Sequence, residues 1–297
     1  MLFSVVIPTY NRAHLLPQAL DSVVAQEEKD FEILIVDDGS TDDTEAVLAR
    51  YEGRVRVFRQ KNSGPAVARN LGIQNARGDY VAFLDSDDVW FPWTLAVYRS
   101  VIERHRSPTI IEGTHVEFST EDGPPSLAKV PPVEHPATDY LASPRGGLWP
   151  SGVAIRTEAL RAVGGFPTHA FNAEDSDLWL RLGTGPGFVH VSAPPAFAYR
   201  RHAESAVGSL RKTCDGTIWM IGRERDGVYP GGAGRRLDRL RILTIHTRPL
   251  SVSCARRGLM REAFDIYWRT LDWNLRLFRF RYLIVLPCLA LWHGLRR

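Results

Sequence analysis

An α/β fold built on a mostly parallel sheet flanked by helices is the prediction from this 297-residue sequence. Three observations point to it. Short apolar, β-rich runs alternate with segments of helical periodicity throughout the first third. Turn-forming clusters, Gly39-Ser40, Asn62-Ser63-Gly64-Pro65 and Arg77-Gly78-Asp79, punctuate the alternation. Each apolar run leads into polar residues at its carboxyl end, where ligands bind in open α/β sheets.

The elements follow in order. Residues 2–7 form the first strand, and residues 12–26 place Leu15, Leu16, Ala19, Leu20 and Val23 on one helical face. Residues 31–36 are a buried strand. Asp42 and Glu45 then make a capping-box-like start to a helix ending at Arg50. Residues 54–58 are a third strand, the helix after Pro65 runs through Ala76, and residues 80–84 are a fourth strand. Successive βαβ units of this kind imply parallel pairing. From residue 107 the pattern loosens, and the Pro-rich stretch 123–136 reads as a surface loop. Regular structure resumes with a strand at 151–155 and a helix at 157–163, then the Gly164-Gly165-Phe166 turn and an acidic helix start at residues 172–175.

With 44% apolar and 24% charged residues, ordinary values for a globular chain, disorder is not the default reading. Cys214, Cys254 and Cys288 are odd in number and lack a Cys-x-x-Cys spacing, which speaks for a reducing compartment and against a structural zinc. The first eight residues have no basic n-region and no long apolar core, so a strand is expected there and not a signal peptide. Arg outnumbers Lys 33 to 4, as in GC-rich bacterial genomes. Charge divides the chain. Residues 1–206 carry 19 Lys+Arg against 27 Asp+Glu, and residues 207–297 carry 18 against 7. The expected organisation is therefore a catalytic domain over 1–206 and a basic, mainly helical extension over 207–297. Such a tail suits a polyanionic partner or is a solvated basic helical face.

Two acidic clusters stand at strand ends. Asp37-Asp38-Gly39-Ser40 also suits ordinary strand-to-helix turn chemistry. Asp85-Ser86-Asp87-Asp88 is different, because three carboxylates within four residues repel unless a cation or hydrogen-bond donors compensate. Hard divalent ions take carboxylate and phosphate oxygens, which an Asp-x-Asp element supplies. Glu174-Asp175 complements a helix dipole, and on the functional reading one of the two is a general base for an incoming hydroxyl. Tyr199-Arg200-Arg201-His202 is a surface segment or the closing edge of a diphosphate and metal site.

Together these segments resemble the family 2 glycosyltransferases of GT-A fold. The resemblance rests on Val5-Val6-Ile7-Pro8-Thr9-Tyr10-Asn11-Arg12, Val36-Asp37-Asp38-Gly39-Ser40-Thr41-Asp42, the Asn62–Asn70 segment, Phe83-Leu84-Asp85-Ser86-Asp87-Asp88, and Gly164-Gly165-Phe166 followed by Glu174–Arg181. It covers residues 2 to about 205 and leaves the basic tail outside. It implies an inverting, Mn²⁺- or Mg²⁺-dependent transfer of one sugar from a nucleoside-diphosphate sugar, a UDP-sugar favoured, to a saccharide or lipid-linked saccharide in cell-surface polysaccharide or glycolipid assembly. Pro8, Thr9, Tyr10, Arg12, Gly64, Arg69, Asp85 and Ser86 would line the nucleotide site, with Asp38 on the base. Asp87, Asp85 and His202 would hold the metal, Arg200 or Arg201 the diphosphate, and Asp175 beside Glu174 would be the base.

A dinucleotide enzyme is disfavoured, since Pro8–Arg12 stands where a Gly-x-Gly-x-x-Gly turn would be. A noncatalytic nucleotide-sugar-binding module is a competing reading. A processive synthase is another, but the Gln-x-x-Arg-Trp element is absent. Residues 282–292 form an apolar run which, as a helix, spans ~16 Å, short of the ~30 Å hydrocarbon core. It suits a membrane interface or packing on the catalytic domain. The first gives the expected location, cytoplasmic and peripheral on the inner membrane, with an anionic membrane surface as partner and no nucleic acid.

Overall fold

The computed structural model describes residues 1–143, 147–169, 172–201 and 209–294, the last five of these as backbone alone. They fall into two compact units. The first comprises Met1–Tyr140, Leu148–Thr168 and Gly185–Ser205, and the second Leu141–Gly147, His169–Thr184 and Ala206–Arg297.

In the first unit, β1 (Phe3–Thr9) pairs in parallel with β2 (Phe31–Asp37), and β2 with β3 (Arg56–Arg59). The other edge of β1 takes β4 (Tyr80–Phe83), also in parallel. β5 (Val89–Trp90), β6 (Ile110–Gly113), β7 (His115–Ser119), β8 (Val133–Ala137), β9 (Val153–Arg156), β10 (Phe188–Ala193) and β11 (Phe197–Arg201) follow. The main sheet runs β3-β2-β1-β4-β9-β6-β10-β8, and β5-β11-β7 form a smaller one. β9 inserts antiparallel between β4 and β6, so the large sheet is α/β in class yet mixed in sense.

The core follows strand alternation. Val5 and Ile7, Ile33 and Ile35, and Tyr80 and Ala82 face α1 (Leu16–Val24), α2 (Thr44–Ala49) and, beyond α3 (Pro65–Asn75), α4 (Thr94–Arg104), meeting Leu20, Leu48, Leu95 and Tyr98. On the opposite face α3 lies against β1. A Cβ at Gly72 would collide with the methyls of Val6, so this position sets how close the helix comes.

Two local expectations are corrected. The proline-rich stretch ends in a strand, β8, which lies at the edge of the sheet and pairs antiparallel with β10. Pro136 is tolerated there because an edge strand does not need every amide. The capping box at α2 does not form. Asp42 accepts from the Thr44 amide at 3.1 Å and hydroxyl at 2.6 Å, while Glu45 turns to Arg59 at 2.9 Å.

α5 (Thr157–Ala162) completes the first unit. The second unit holds α6 (Glu174–Arg181), α7 (Leu210–Arg225), α8 (Arg236–Arg256), α9 (Met260–Arg269), α10 (Leu271–Arg276) and α11 (Phe280–Gly294). Its tail is helical, as periodicity predicts. Among the described residues no helix is long and apolar enough to cross a membrane. Within this unit α11 packs on α8, where the Tyr282 hydroxyl meets Ser251 Oγ at 2.8 Å.

Candidate functional site

In the first unit the loops after β1 and β2 are stitched together. The Asp38 amide donates to Thr9 O at 2.9 Å, the Asn11 amide to Ser40 Oγ at 2.9 Å, and the Thr41 amide to Asn11 Oδ1 at 2.8 Å. Asn11 adopts φ 51°, a left-handed conformation that asparagine tolerates better than most residues. Pro8, Thr9, Tyr10 and Arg12 thus sit on a braced ridge beside Asp37-Asp38. Tyr10 is exposed, whereas Thr9 is buried and its Oγ1 finds no hydrogen-bond partner, the kind of polar atom that a ligand satisfies.

Asp38 is buried and already occupied. Its Oδ1 accepts from Gln60 Nε2 at 2.7 Å and the Ser63 amide at 2.9 Å, and its Oδ2 from the Gly64 amide at 2.8 Å. The carboxylate therefore shapes the turn that launches α3, with Gly64 at φ 92° and Pro65 opening the helix. Gly39 is required beside it, because a Cβ there would lie 2.9 Å from the Asn62 nitrogen. Base recognition by Asp38 would come in addition to this structural task.

Arg69 projects from α3 and is buried. Its Nη2 donates to Asp85 Oδ1 at 2.6 Å, and its guanidinium lies 5.4 Å from the centre of the Phe166 ring. Asn70, the next residue, holds the Gly165-Phe166 turn with two 2.8 Å bonds to the Phe166 backbone. Two residues of one motif thus link the acidic segment to the glycine turn.

The acidic segment leaves β4 in a tight turn, the Asp88 amide donating to Asp85 O at 3.1 Å. Ser151 closes it. Its hydroxyl accepts from the Asp85 amide at 3.1 Å and donates to Asp88 Oδ2 at 2.6 Å, and its carbonyl takes the Trp90 indole N–H at 2.7 Å. Burial, reinforced by the charges of Asp85 and Asp87, holds the Asp88 carboxyl well above the usual carboxylate range. Asp88 is thus the inward-facing member, and Ser86 is buried with it. Asp85 and Asp87 retain partial exposure.

Arg200 joins the same segment. Its amide donates to Asp88 Oδ1 at 3.1 Å, its Nε to Asp87 O at 2.8 Å, and its Nη2 to Gln18 Oε1. The guanidinium stacks 4.6 Å from the Phe118 ring centre, and burial lowers its pKa against the pull of Asp87 and Asp88. Strand alternation sends Arg201 the other way, to Glu117 at 2.9 Å. Of the paired arginines, the structure brings only Arg200 to the acidic turn. His202 lies outside the described residues.

No group of three or more His, Cys, Asp or Glu poised as a metal cluster occurs among the described residues. One or two partly exposed carboxylates nevertheless suit a hard cation whose other ligands are water and phosphate oxygen, and Asp87 with Asp85 would hold it.

In the second unit, Glu174 and Asp175 open α6. Ala173 caps the helix at φ 97°, a strained conformation for alanine. Asp175 Oδ1 accepts from the Ser176 amide at 2.6 Å. Both acids line a cavity of about 300 Å³ with Asn172, Thr213, Thr217 and His246. Asn172 Nδ2 reaches Thr213 Oγ1 at 3.0 Å. The helix is anchored by Asp177, fully buried, which meets Arg181 Nε at 2.6 Å, Arg223 Nε at 2.8 Å and the Tyr229 hydroxyl at 3.0 Å.

Sequence reading missed Ser151, Gln18, Gln60 and the Asp177 anchor. The spacing of Asp177 and Arg181, one helical turn apart, was a usable signal. Ser151 gave none, standing 63 residues from Asp88 in a featureless strand start.

Residues 4–161 match the model of glycosyl transferase family 2. An uncharacterized glycosyltransferase of Rickettsia felis is 33% identical over 196 residues, covering 61% of this chain and 30% of that protein. The putative teichuronic acid biosynthesis glycosyltransferase TuaG of Bacillus subtilis is 46% identical over 93 residues, 30% of this chain and 37% of that one. The chain spans under a third of the length of the first curated relatives. Among solved structures, S. aureus TarS residues 1–349 with UDP-GlcNAc aligns at TM-score 0.59 and 19% identity, over 93% of this chain and 92% of that one. The Pyrobaculum calidifontis mannosyltransferase PcManGT with GDP-Man and Mn²⁺ aligns at 0.54 and 19%, over 98% and 82%. The shared fold is therefore GT-A. With the family's model matched over residues 4–161, from β1 into α5 and across more than half of the sequence, this chain belongs to glycosyl transferase family 2.

Proposed function

We propose that the protein transfers a single sugar from a nucleoside-diphosphate sugar, a UDP-sugar before others, to a hydroxyl of a saccharide or lipid-linked saccharide, with inversion. The observation that carries this reading is the Asp85–Asp88 turn, in which Arg69, Ser151 and Arg200 hold two carboxylates partly exposed at a strand end. Mn²⁺ or Mg²⁺ bound there would offset charge developing on the departing diphosphate. Arg200 would add fixed positive charge beside it. The ridge from Pro8 to Arg12, with the unsatisfied Thr9 hydroxyl, would receive the nucleoside together with Asp38, Gly64, Arg69 and Ser86. Asp175, set on a rigid helix start beside Glu174, would take the acceptor proton as the hydroxyl oxygen attacks the anomeric carbon. Attack opposite the leaving group inverts that centre.

UDP-GlcNAc on TarS, GDP-Man with Mn²⁺ on PcManGT, and the teichuronic acid biosynthesis in the name of TuaG support the donor class, the cation and a place in cell-surface polysaccharide assembly. A lipid-linked acceptor would keep the protein on the cytoplasmic face of a membrane, with the basic 207–297 segment as the contact.

The test is calorimetry with UDP, GDP, dTDP and CDP, each with and without Mn²⁺, on wild type and Asp87→Ala. The expected result is one nucleotide whose binding needs metal and fails in the variant. Metal-independent binding, or none, would favour a noncatalytic module.

A further inference from the structure

Lipid contact needs a surface that reads both an acyl layer and a headgroup, and the second unit contains a candidate. Residues 273–297 hold five arginines and no acidic residue. α11 buries Tyr282 and Leu286 and turns Arg281, Ile284, Val285 and Cys288 outward, an i, i+3, i+4, i+7 stripe that is apolar after its first residue, where a surface helix is ordinarily polar. At the corner entering α11, Phe278 is 77% exposed and Phe280 53%, their ring centres 6.0 Å apart. Phe278 takes φ 54°, a left-handed conformation costly for an aromatic residue and unrewarded by burial.

Between these two phenylalanines Arg279 turns inward. It lines a cavity of about 350 Å³ with Ser143, Asp238, Arg241, Ile242 and Ile245. Its Nε is buried without a hydrogen-bond acceptor. Asp238 is the carboxylate of the cavity, and it is already engaged by Arg235 at 2.7 Å and Arg241 at 3.1 Å. Arg248 stands close enough that burial and the Arg279 charge together lower its pKa. Several guanidinium groups thus surround one neutralised acid, and a buried N–H lacks an acceptor. A phosphate in the cavity would pair with the guanidinium groups of Arg241 and Arg279.

We infer that this cavity binds the phosphate of an anionic membrane lipid, while Phe278, Phe280, Ile284 and Val285 enter the acyl boundary. The inference rests on the membrane contact proposed above and adds its headgroup chemistry. The geometry matches interfacial helices that combine buried apolar area with attraction to anionic lipid.

The test is flotation of the full chain with phosphatidylcholine vesicles, with and without phosphatidylglycerol. Wild type should bind only the vesicles containing phosphatidylglycerol. Arg241→Gln with Arg279→Gln should weaken this about thirtyfold at unchanged melting temperature. Phe278→Asn, which suits the left-handed backbone, should weaken it several-fold, and Arg279→Gln alone replaces the double variant if that one fails to fold. No binding to any vesicle would overturn the membrane reading and this inference together. Binding that survives the arginine variant would overturn the cavity assignment, and binding that survives Phe278→Asn would overturn the acyl contact; either leaves the membrane reading standing. Capture of soluble glycerol phosphate without vesicle binding would reassign the cavity to a free anion.

Discussion

Ser151 does at the acidic turn what no member of the Asp85–Asp88 cluster can do for itself. One hydroxyl serves both an amide and a buried carboxyl, so Ser151→Ala strips the Asp85 amide and Asp88 Oδ2 of these bonds and leaves the Asp88 carboxyl only the Arg200 amide among the bonds described. A stability loss of about 1–3 kcal/mol is expected in urea unfolding, with weaker metal-dependent nucleotide binding. Asp175→Asn makes the opposite split. Transfer should fall by about 10²–10⁴ while calorimetric donor binding stays, because a general base acts on the acceptor proton. Loss of donor affinity would reassign Asp175 to the nucleotide. At this scale the motifs were readable as residue types, whereas Asp38 was readable only as an acid. Its three donors come from residues 60–64, and no local pattern reveals that a strand-end carboxylate is spent on the neighbouring turn.

Strand β2 is tied to its neighbours through Glu32. The carboxylate takes the Ser4 hydroxyl of β1 at 2.7 Å, Arg56 of β3 at 2.6 Å and the Arg77 amide at 2.8 Å. Burial pushes the Glu32 carboxyl up, but the bonds from Ser4, Arg56 and Arg77 outweigh it and hold it below the usual glutamate value. A lowered folded-state value means stability that is fully present above the ordinary glutamate pKa and lost as pH falls through the folded one. Glu32→Gln should therefore cost about 2 kcal/mol at neutral pH, with the gap to wild type closing below about pH 4 in urea titrations. Elements at the front of the chain were legible because βαβ periodicity is local. β8 was not, since its pairing with β10 depends on a partner more than fifty residues away and Pro136 reads as a breaker until an edge position excuses it.

Across the whole molecule, charge is segregated along the chain, with net −8 over 1–206 and +11 over 207–297. Attraction of the second segment to an anionic surface is screened over about 8 Å at physiological salt. Vesicle binding should therefore weaken steeply as NaCl rises, while donor binding in the first segment changes little; salt-independent flotation would argue for apolar insertion alone. The fold class, the positions of the first four strands along the chain and the family followed from sequence, because parallel βαβ units and strand-end motifs are written in residues close together in the chain. Close packing and long-range pairing were needed for the rest. They bring Ser151 to Asp88 and Gln18 to Arg200, send Arg200 and Arg201 to opposite faces, and set Arg279 in the lining of a cavity with Ser143, Asp238 and Arg241. Such contacts join residues distant in the chain, where steric fit and hydrogen-bond satisfaction decide and periodicity is silent.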